Sequence, residues 1–376
     1  MRYRLVDADG TACVVADGRI ADADAPCAFT LELDGARLRP GLINAHDHLH
    51  RNHYPRLGAP PYPDAYAWGR DLHDRWADDI ARCRALDRGD ALLFGALKTL
   101  LGGATTVVHH DRWESAFDDG AFPVRVVRTR IAHSLRFEPD LARAADGGPA
   151  LRDRPLCIHL AEGINAAAAD EVRELAERGL LDERLLAVHV VGADDDGVRR
   201  LRAAGAAVVW CPTSNAFLFG RTAPPALLAE GTDVLLGSDS LLTGDGTLLD
   251  ELRAARALGL LDDARLAAAV GETAARRLGI APPSLAPGAA ADLVALRRPL
   301  LDASAADVDL VIVGGVPRLA DERYAELFER CDVASETLRV GGTTKRIAAP
   351  LASVARRVFE LAPECARIVE RQVVAT

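Results

Sequence analysis

From residue 39 to about 280 the chain alternates short apolar runs with amphipathic stretches rich in Ala, Leu, Arg and Glu, and this order restricts the fold more than any other feature. The runs GLINAH, ATTVVHH, PVRVVRTRIAHS, PLCIHL, RLLAVHV, AAVVWCP and DVLLGSD have the length and β-branched content of buried strands. Residues 87–101, 167–179, 194–204 and 247–258 between them carry helical periodicity. Strands joined by helical crossovers run parallel, with the helices outside the sheet. About seven such units in about 240 residues predict an α/β fold, a distorted (β/α)8 barrel of the TIM type, over an open doubly wound sheet. Residues 124–155 show one clear strand where two are expected, so a βα unit is shortened or merged there.

The flanks read differently. Residues 1–38 hold the short β segments RYRLV, ACVVA and FTLEL, broken by the turn signals DADG, ADGR and LDGA. A layer this small buries little alone, and β texture returns at 285–321. The expected organisation is a composite β-sandwich domain from residues 1–38 plus 285–335, a barrel over 39–284, and a helical C-terminal extension over 336–376. Its helices are expected at 349–361 and 363–373.

Composition narrows the partners. With 49% apolar and 27% charged residues the chain has a globular profile. No apolar run approaches the roughly 20 residues of a membrane span, and MRYRLVDADG lacks a secretory pattern, so a cytoplasmic protein without a membrane partner is expected. Seven scattered cysteines without a CxxC pair fit reduced thiols. A net charge of −10 argues against nucleic acid, whose phosphates call for clustered positive charge. The tail or the barrel helices would serve a homodimer.

Several predicted strands end in a polar, metal-competent residue, and in a parallel barrel those ends meet on one face. His46 and His48 alternate along a strand end, so both imidazoles face one side. Alone, such a pair reads more readily as two surface-loop histidines than as ligands. With His159 and Asp239 it makes a set of three nitrogens and one oxygen that leaves a coordination position for water, the open arrangement of a hydrolytic metal. His50 falls past the strand end, in a Pro- and aromatic-rich loop that includes Arg51, Tyr54 and Trp68 and is placed to cover the site.

In order and spacing, PGLINAHDH, IHLAEG, AVHVV, CPTSNAFL and LGSDSLLT resemble the amidohydrolase superfamily, most of all its metal-dependent deaminase and chlorohydrolase branch, the cytosine and guanine deaminase-like proteins. The β layer and the segment APGAAADLVAL resemble that branch too, so the likeness covers roughly residues 1–320. It implies one divalent ion held by His46, His48, His159 and Asp239. Zinc comes first and ferrous iron second, since this ligand set suits both. The only lysines, Lys98 in a predicted helix and Lys345 in the tail, are not placed to bridge two metals.

The resemblance further implies catalytic roles for Glu162, which shuttles protons, for His189, which holds hydroxide and the developing oxyanion, and for Asp239 as a base. Against this, Glu162 reads as a solvated loop glutamate and His189 as a satisfied core histidine. The implied reaction is hydrolytic deamination of a small nitrogen heterocycle. The alternatives are opening of a cyclic amide, imidazolone or urea, or displacement of a non-amine leaving group. A non-catalytic scaffold would have lost some of these six residues, and all are present. Substrate contacts are expected from His110, in preference to His109, and from His133, Arg51, Trp68 and Asn215, the last also bracing the loop after its strand. Asp245 and Glu251 read as cap or surface residues.

Overall fold

A computed structural model describes residues 1–118, 120–138 and 140–370. Among them, eight parallel strands carry the middle of the chain: β1 (Leu42–Asp47), β2 (Ala104–His109), β3 (Arg125–Val126), β4 (Arg130–Ser134), β5 (Leu156–Leu160), β6 (Leu185–His189), β7 (Ala207–Trp210) and β8 (Val234–Leu236). They pair in sequence order as two sheets, β1 to β3 and β4 to β8. Alternate residues enter different cores. Ile43, Val108, Leu186, Val188 and Leu235 pack together on one side. Leu42, Val107, Ile158, Leu185 and Leu236 join Leu92, Phe94, Leu97 and Val172 of the surrounding helices on the other. Burial on both faces is why these strands read as unbroken apolar runs.

The stretch that showed a single strand explains itself here. β3 is two residues long, and only residues 127–129 separate it from β4, with no helix between. Thr106 and Val107 of β2 pair with Arg125 and Val126, whereas Arg130 onward pairs with β5, so one extended segment passes from the first sheet to the second. RVVRTRIAHS has neither a turn signal nor helical periodicity, which leaves the chain no means of leaving the sheet.

Both ends of the chain build the remaining sheets. Arg2–Asp7, Ala12–Ala16, Arg19–Ala21 and Thr30–Leu33 form one of four strands. Arg37–Pro40 joins Leu293–Leu296, Val308–Val313, Val316–Asp321, Thr343–Ala348 and Ser335–Val340 in one of six. Tyr3, Leu5, Leu31, Leu33, Leu293, Leu310, Ile312 and Phe328 share one apolar core.

The expectation of a helical extension from 336 onward needs correction, because Ser335–Val340 and Thr343–Ala348 form an antiparallel hairpin at the edge of the six-stranded sheet. Gly341 and Gly342 connect them with φ of 55° and 87°, the left-handed pair that a two-residue hairpin turn requires. The alternation in SETLRV and TTKRIA, with Leu338, Val340 and Ile347 buried, carries the strand period. Helix Leu351–Leu361 follows, with Phe359 edge-on to Phe94 at 5.9 Å between ring centroids and Arg357 paired with Asp90. The helix expected at 363–373 begins as a 3-10 turn, Pro363–Ala366, and an α-turn, Arg367–Glu370; its last three residues lie outside the described residues. No described helix is long and apolar enough to cross a membrane.

Candidate active site

The carboxyl ends of β1, β5, β6 and β8 meet on one face. His46 lies in β1 and His48 one residue beyond it; His159 lies in β5, His189 ends β6, and Asp239 follows β8. Gly237 permits the approach of β8 to β1, since a Cβ there would stand 2.6 Å from the Cβ of His46. The Asp239 N–H then donates to the His46 carbonyl at 3.1 Å. Ala161, His189 and Asp239 all have left-handed backbones, with φ of 48°, 69° and 51°. Non-glycine residues avoid that region, and such strain tends to collect where side chains must be aimed.

His159 Nε2 lies 3.3 Å from His48 Nε2 and 3.4 Å from His46 Nε2. Two nitrogens each about 2.0–2.1 Å from a tetrahedral ion stand roughly 3.3–3.4 Å apart, so the three imidazoles fit one divalent cation. Asp239 Oδ1 is 3.8 Å from His46 Nε2 and 3.9 Å from His48 Nε2. The His133 carbonyl accepts from His159 Nδ1 at 2.7 Å, which leaves the Nε2 lone pair facing the cluster. Burial drives the pKa of His46 down to about 3 and those of His48 and His159 well below the ordinary value, so the imidazoles are neutral, as ligation requires. Burial opposes the charge on Asp239, but His46, His189 and hydrogen bonds from Ser214 and the Ser240 N–H outweigh it and keep its pKa below the usual carboxylate value. Three donors converge on this carboxylate: Ser214 Oγ at 2.7 Å, Thr243 Oγ1 at 2.8 Å and the Ser240 N–H at 2.7 Å.

Glu162 stands beside the cluster, with Oε1 3.6 Å from His189 Nε2. Burial pushes its pKa up to about 7, against His189, which lowers it, and with Asp239 and Glu171 adding to the rise. His189 Nε2 is also 3.9 Å from Asp239 Oδ2, while Asn215 Oδ1 accepts from its Nδ1 at 2.8 Å. Glu162, His189, Asp239, His48 and His159 open onto a cavity of about 550 Å³. Arg51, Trp68, Tyr54, Tyr66, His133 and Phe137 line its outer part.

Two of the expected substrate contacts lie elsewhere. His110 is buried beneath the cluster, its ring 4.1 Å from that of His159, with Nε2 donating to the Ala132 carbonyl at 3.1 Å. Strand alternation turns it inward but below the rim, and it does not line the cavity. Asn215 is fully buried in helix Pro212–Phe219 and holds His189 from behind. His50 pairs with Asp111 at 3.2 Å and lines the same cavity outside the cluster. Glu251 is not a surface residue: it is 0% exposed and accepts the Thr213 N–H at 3.0 Å, bracing the CPTSN turn.

Under the cluster lies a network that sequence reasoning missed. Asp47 Oδ2 accepts from Lys98 Nζ at 3.0 Å, Ser238 Oγ at 3.0 Å and Asn44 Nδ2 at 3.2 Å, and Oδ1 accepts from Asn52 at 2.9 Å. Lys98 Nζ also donates to the Asp239 carbonyl. Lys98 thus ties β1 to the segment after β8. Asn44 and Asp47, polar residues within the apolar run LINAHD, were the available signal.

Residues 150–318 match the amidohydrolase family model. The 5-methylthioadenosine/S-adenosylhomocysteine deaminase of Pyrococcus furiosus is 31% identical over 210 residues, 46% of this chain and 49% of that protein. The aminodeoxyfutalosine deaminase of Deinococcus radiodurans is 39% identical over 106 residues, 26% of this chain and 25% of that protein. The 8-oxoguanine deaminase of Pseudomonas aeruginosa is 26% identical over 312 residues, 62% of this chain and 68% of that protein. The chain therefore spans half or less of the length of the first two.

Among solved structures, a zinc-bound adenosine deaminase from Xanthomonas campestris superposes with a TM-score of 0.63 at 20% identity, over 88% of this chain and 96% of that one. A zinc complex of atrazine chlorohydrolase from Arthrobacter aurescens gives 0.66 at 18% identity, over 95% and 98%. These two speak for the fold alone, TIM-barrel-like α/β. The chain is thus similar to the amidohydrolase family over residues 150–318, and the relatives it matches bear the names of deaminases.

Proposed function

We propose that the chain is a metal-dependent hydrolase that deaminates a small nitrogen heterocycle, acting on a C–N bond other than a peptide bond. The observation that carries this reading is Glu162, poised near neutrality beside three converging neutral imidazoles and opening onto a cavity with aromatic walls. We take His46, His48, His159 and Asp239 as ligands of one ion, zinc in the first instance. Such an ion supplies Lewis acidity that makes water nucleophilic near neutral pH.

The chain's own groups do the rest. Glu162 accepts the proton that water gives up as its oxygen bonds to the ring carbon, and hands it to the departing nitrogen, so that the C–N bond breaks and ammonia leaves. Asn215 holds His189 so that Nε2 faces Glu162 and Asp239, where it can orient the water and the developing oxyanion. Trp68, Tyr66 and Phe137 offer faces for a flat ring, with Arg51 and His133 available to its polar edge.

The names of the relatives, all three of them deaminases, favour an amine as leaving group over chloride. The two parallel sheets are read as one barrel closed where β8 meets β1, and the two terminal sheets as a composite layer that extends through residue 348. Zinc-loaded protein should release ammonia from at least one member of a panel of aminopurines, aminopyrimidines and aminotriazines. Release of chloride from chlorotriazines without any ammonia release would replace this reading.

A further inference from the structure

A second cavity, of about 650 Å³, lies at the opposite end of the strands, between the starts of β1, β2 and β3 and the six-stranded sheet. Its lining contains four arginines, Arg125, Arg128, Arg154 and Arg318, and one acid, Asp292, in a chain whose net charge is −10. Asp292 is already committed: it accepts from Arg125 Nε at 2.5 Å and from the Gly314 N–H at 2.7 Å. Arg128 lies over the Trp113 ring at 4.9 Å, and Arg154 donates to the Gly279 carbonyl at 3.3 Å. Among the described residues, neither these two nor Arg318 has a carboxylate partner.

Arg318 is the telling residue. It stands on strand Val316–Asp321, half-buried, and its Nε is shut off from solvent without a hydrogen-bond partner. Burial alone, with no carboxylate to oppose it, lowers its pKa. An Nε–H buried without a partner costs free energy that an oxygen of a bound anion would recover. Phe117, Phe122, Ile280 and Pro282 supply apolar walls beside it.

We propose that this cavity binds a small organic anion with an apolar body, its carboxylate or phosphate held by Arg318 and Arg128. The site is remote from the metal-competent cluster and does not depend on the reaction proposed above. Titration calorimetry on metal-loaded protein with benzoate, phenyl phosphate and neutral benzyl alcohol tests it. Saturable binding of one anion per chain is expected, with benzyl alcohol silent, and the tighter of the two anions identifies the charged group. Arg318→Met should weaken binding by about tenfold or more, the loss expected for a charge-assisted hydrogen bond, without lowering the melting temperature. Arg128→Gln, at the exposed rim, should weaken binding in the same direction and keeps the test open if Arg318→Met does not fold. Failure of both anions to bind, equal binding by benzyl alcohol, or affinities unchanged in both variants, as for an anion seated at the metal cluster, would overturn the proposal.

Discussion

The Nε2 atoms of His48 and His159 lie 3.3 Å apart although 111 positions separate the two residues. Both rings are neutral and buried, so either one Nε2–H donates to the other nitrogen or, with both protons on Nδ1, the two lone pairs face a shared cation. Zinc at 100 times its dissociation constant should therefore stabilise the fold by about 2.7 kcal/mol. His159→Ala should lose both the bound metal and this stabilisation, read by metal analysis and thermal melting with and without chelator. An equal melting temperature for metal-loaded and stripped protein would contradict the shared seat.

Asn215 acts through His189, and its effect should separate from folding. Asn215→Ala frees the imidazole to rotate, and losses of this kind run to about 10–100-fold. The expected outcome is a fall of that size in kcat, an altered pH profile and unchanged metal content. A loss of metal equal to the loss of activity would mean that Asn215 supports the fold more than the histidine.

Lys98 and Asp47 form an ion pair in which both side chains are essentially inaccessible, at 1% and 0% exposure. Removing one partner leaves a buried charge unmatched, a change that costs about 3–5 kcal/mol. Lys98→Met should show that loss in urea unfolding. Adding Asp47→Asn to it should recover part of the loss, since no full charge is then stranded.

Glu251 gives a pH signature. Burial raises its pKa to about 8, against two hydrogen bonds from Thr213 that lower it. An unfolded glutamate titrates near 4.3, so between about pH 4.5 and 8 the folded chain keeps a proton that the unfolded chain has released. This contribution to stability is complete below that window and lost as pH rises through it, with a slope of at most about 1.4 kcal/mol per pH unit. Glu251→Gln should remove that slope, so the wild type should lose ground to the variant between pH 5 and 8 in chemical denaturation of the metal-loaded protein. A constant difference between the two would show that Glu251 is ionised in the fold.

The first layer of the site was legible because strand ends advertise it. His46, His48, His159, His189 and Asp239 each stand at or just past an apolar run, and a parallel sheet gathers such ends on one face. What lies one layer deeper was not. His110 follows the same pattern as His189, and only the depth of its strand end separates a ring under the cluster from one that faces the cavity. Lys98 and Glu251 sit on helices, where a charged residue is ordinarily solvated, and only tertiary packing buries them. The hairpin at 335–348 was readable in principle from its Gly-Gly turn and two-residue alternation. The short chain between β3 and β4 has no local signal for a sheet-to-sheet handover, which depends on what pairs with each end.

The measurement closest to the central claim compares ammonia release by wild type and Glu162→Gln at equal metal content, on the heterocycle that the wild type turns over. Removing the carboxylate proposed to carry the proton should cost about 10²–10⁴-fold in kcat while leaving the metal bound, because Glu162 stands beside the proposed ligands, 3.6 Å from His189, and is not one of them in this account. Full activity in Glu162→Gln with its metal in place would contradict the account.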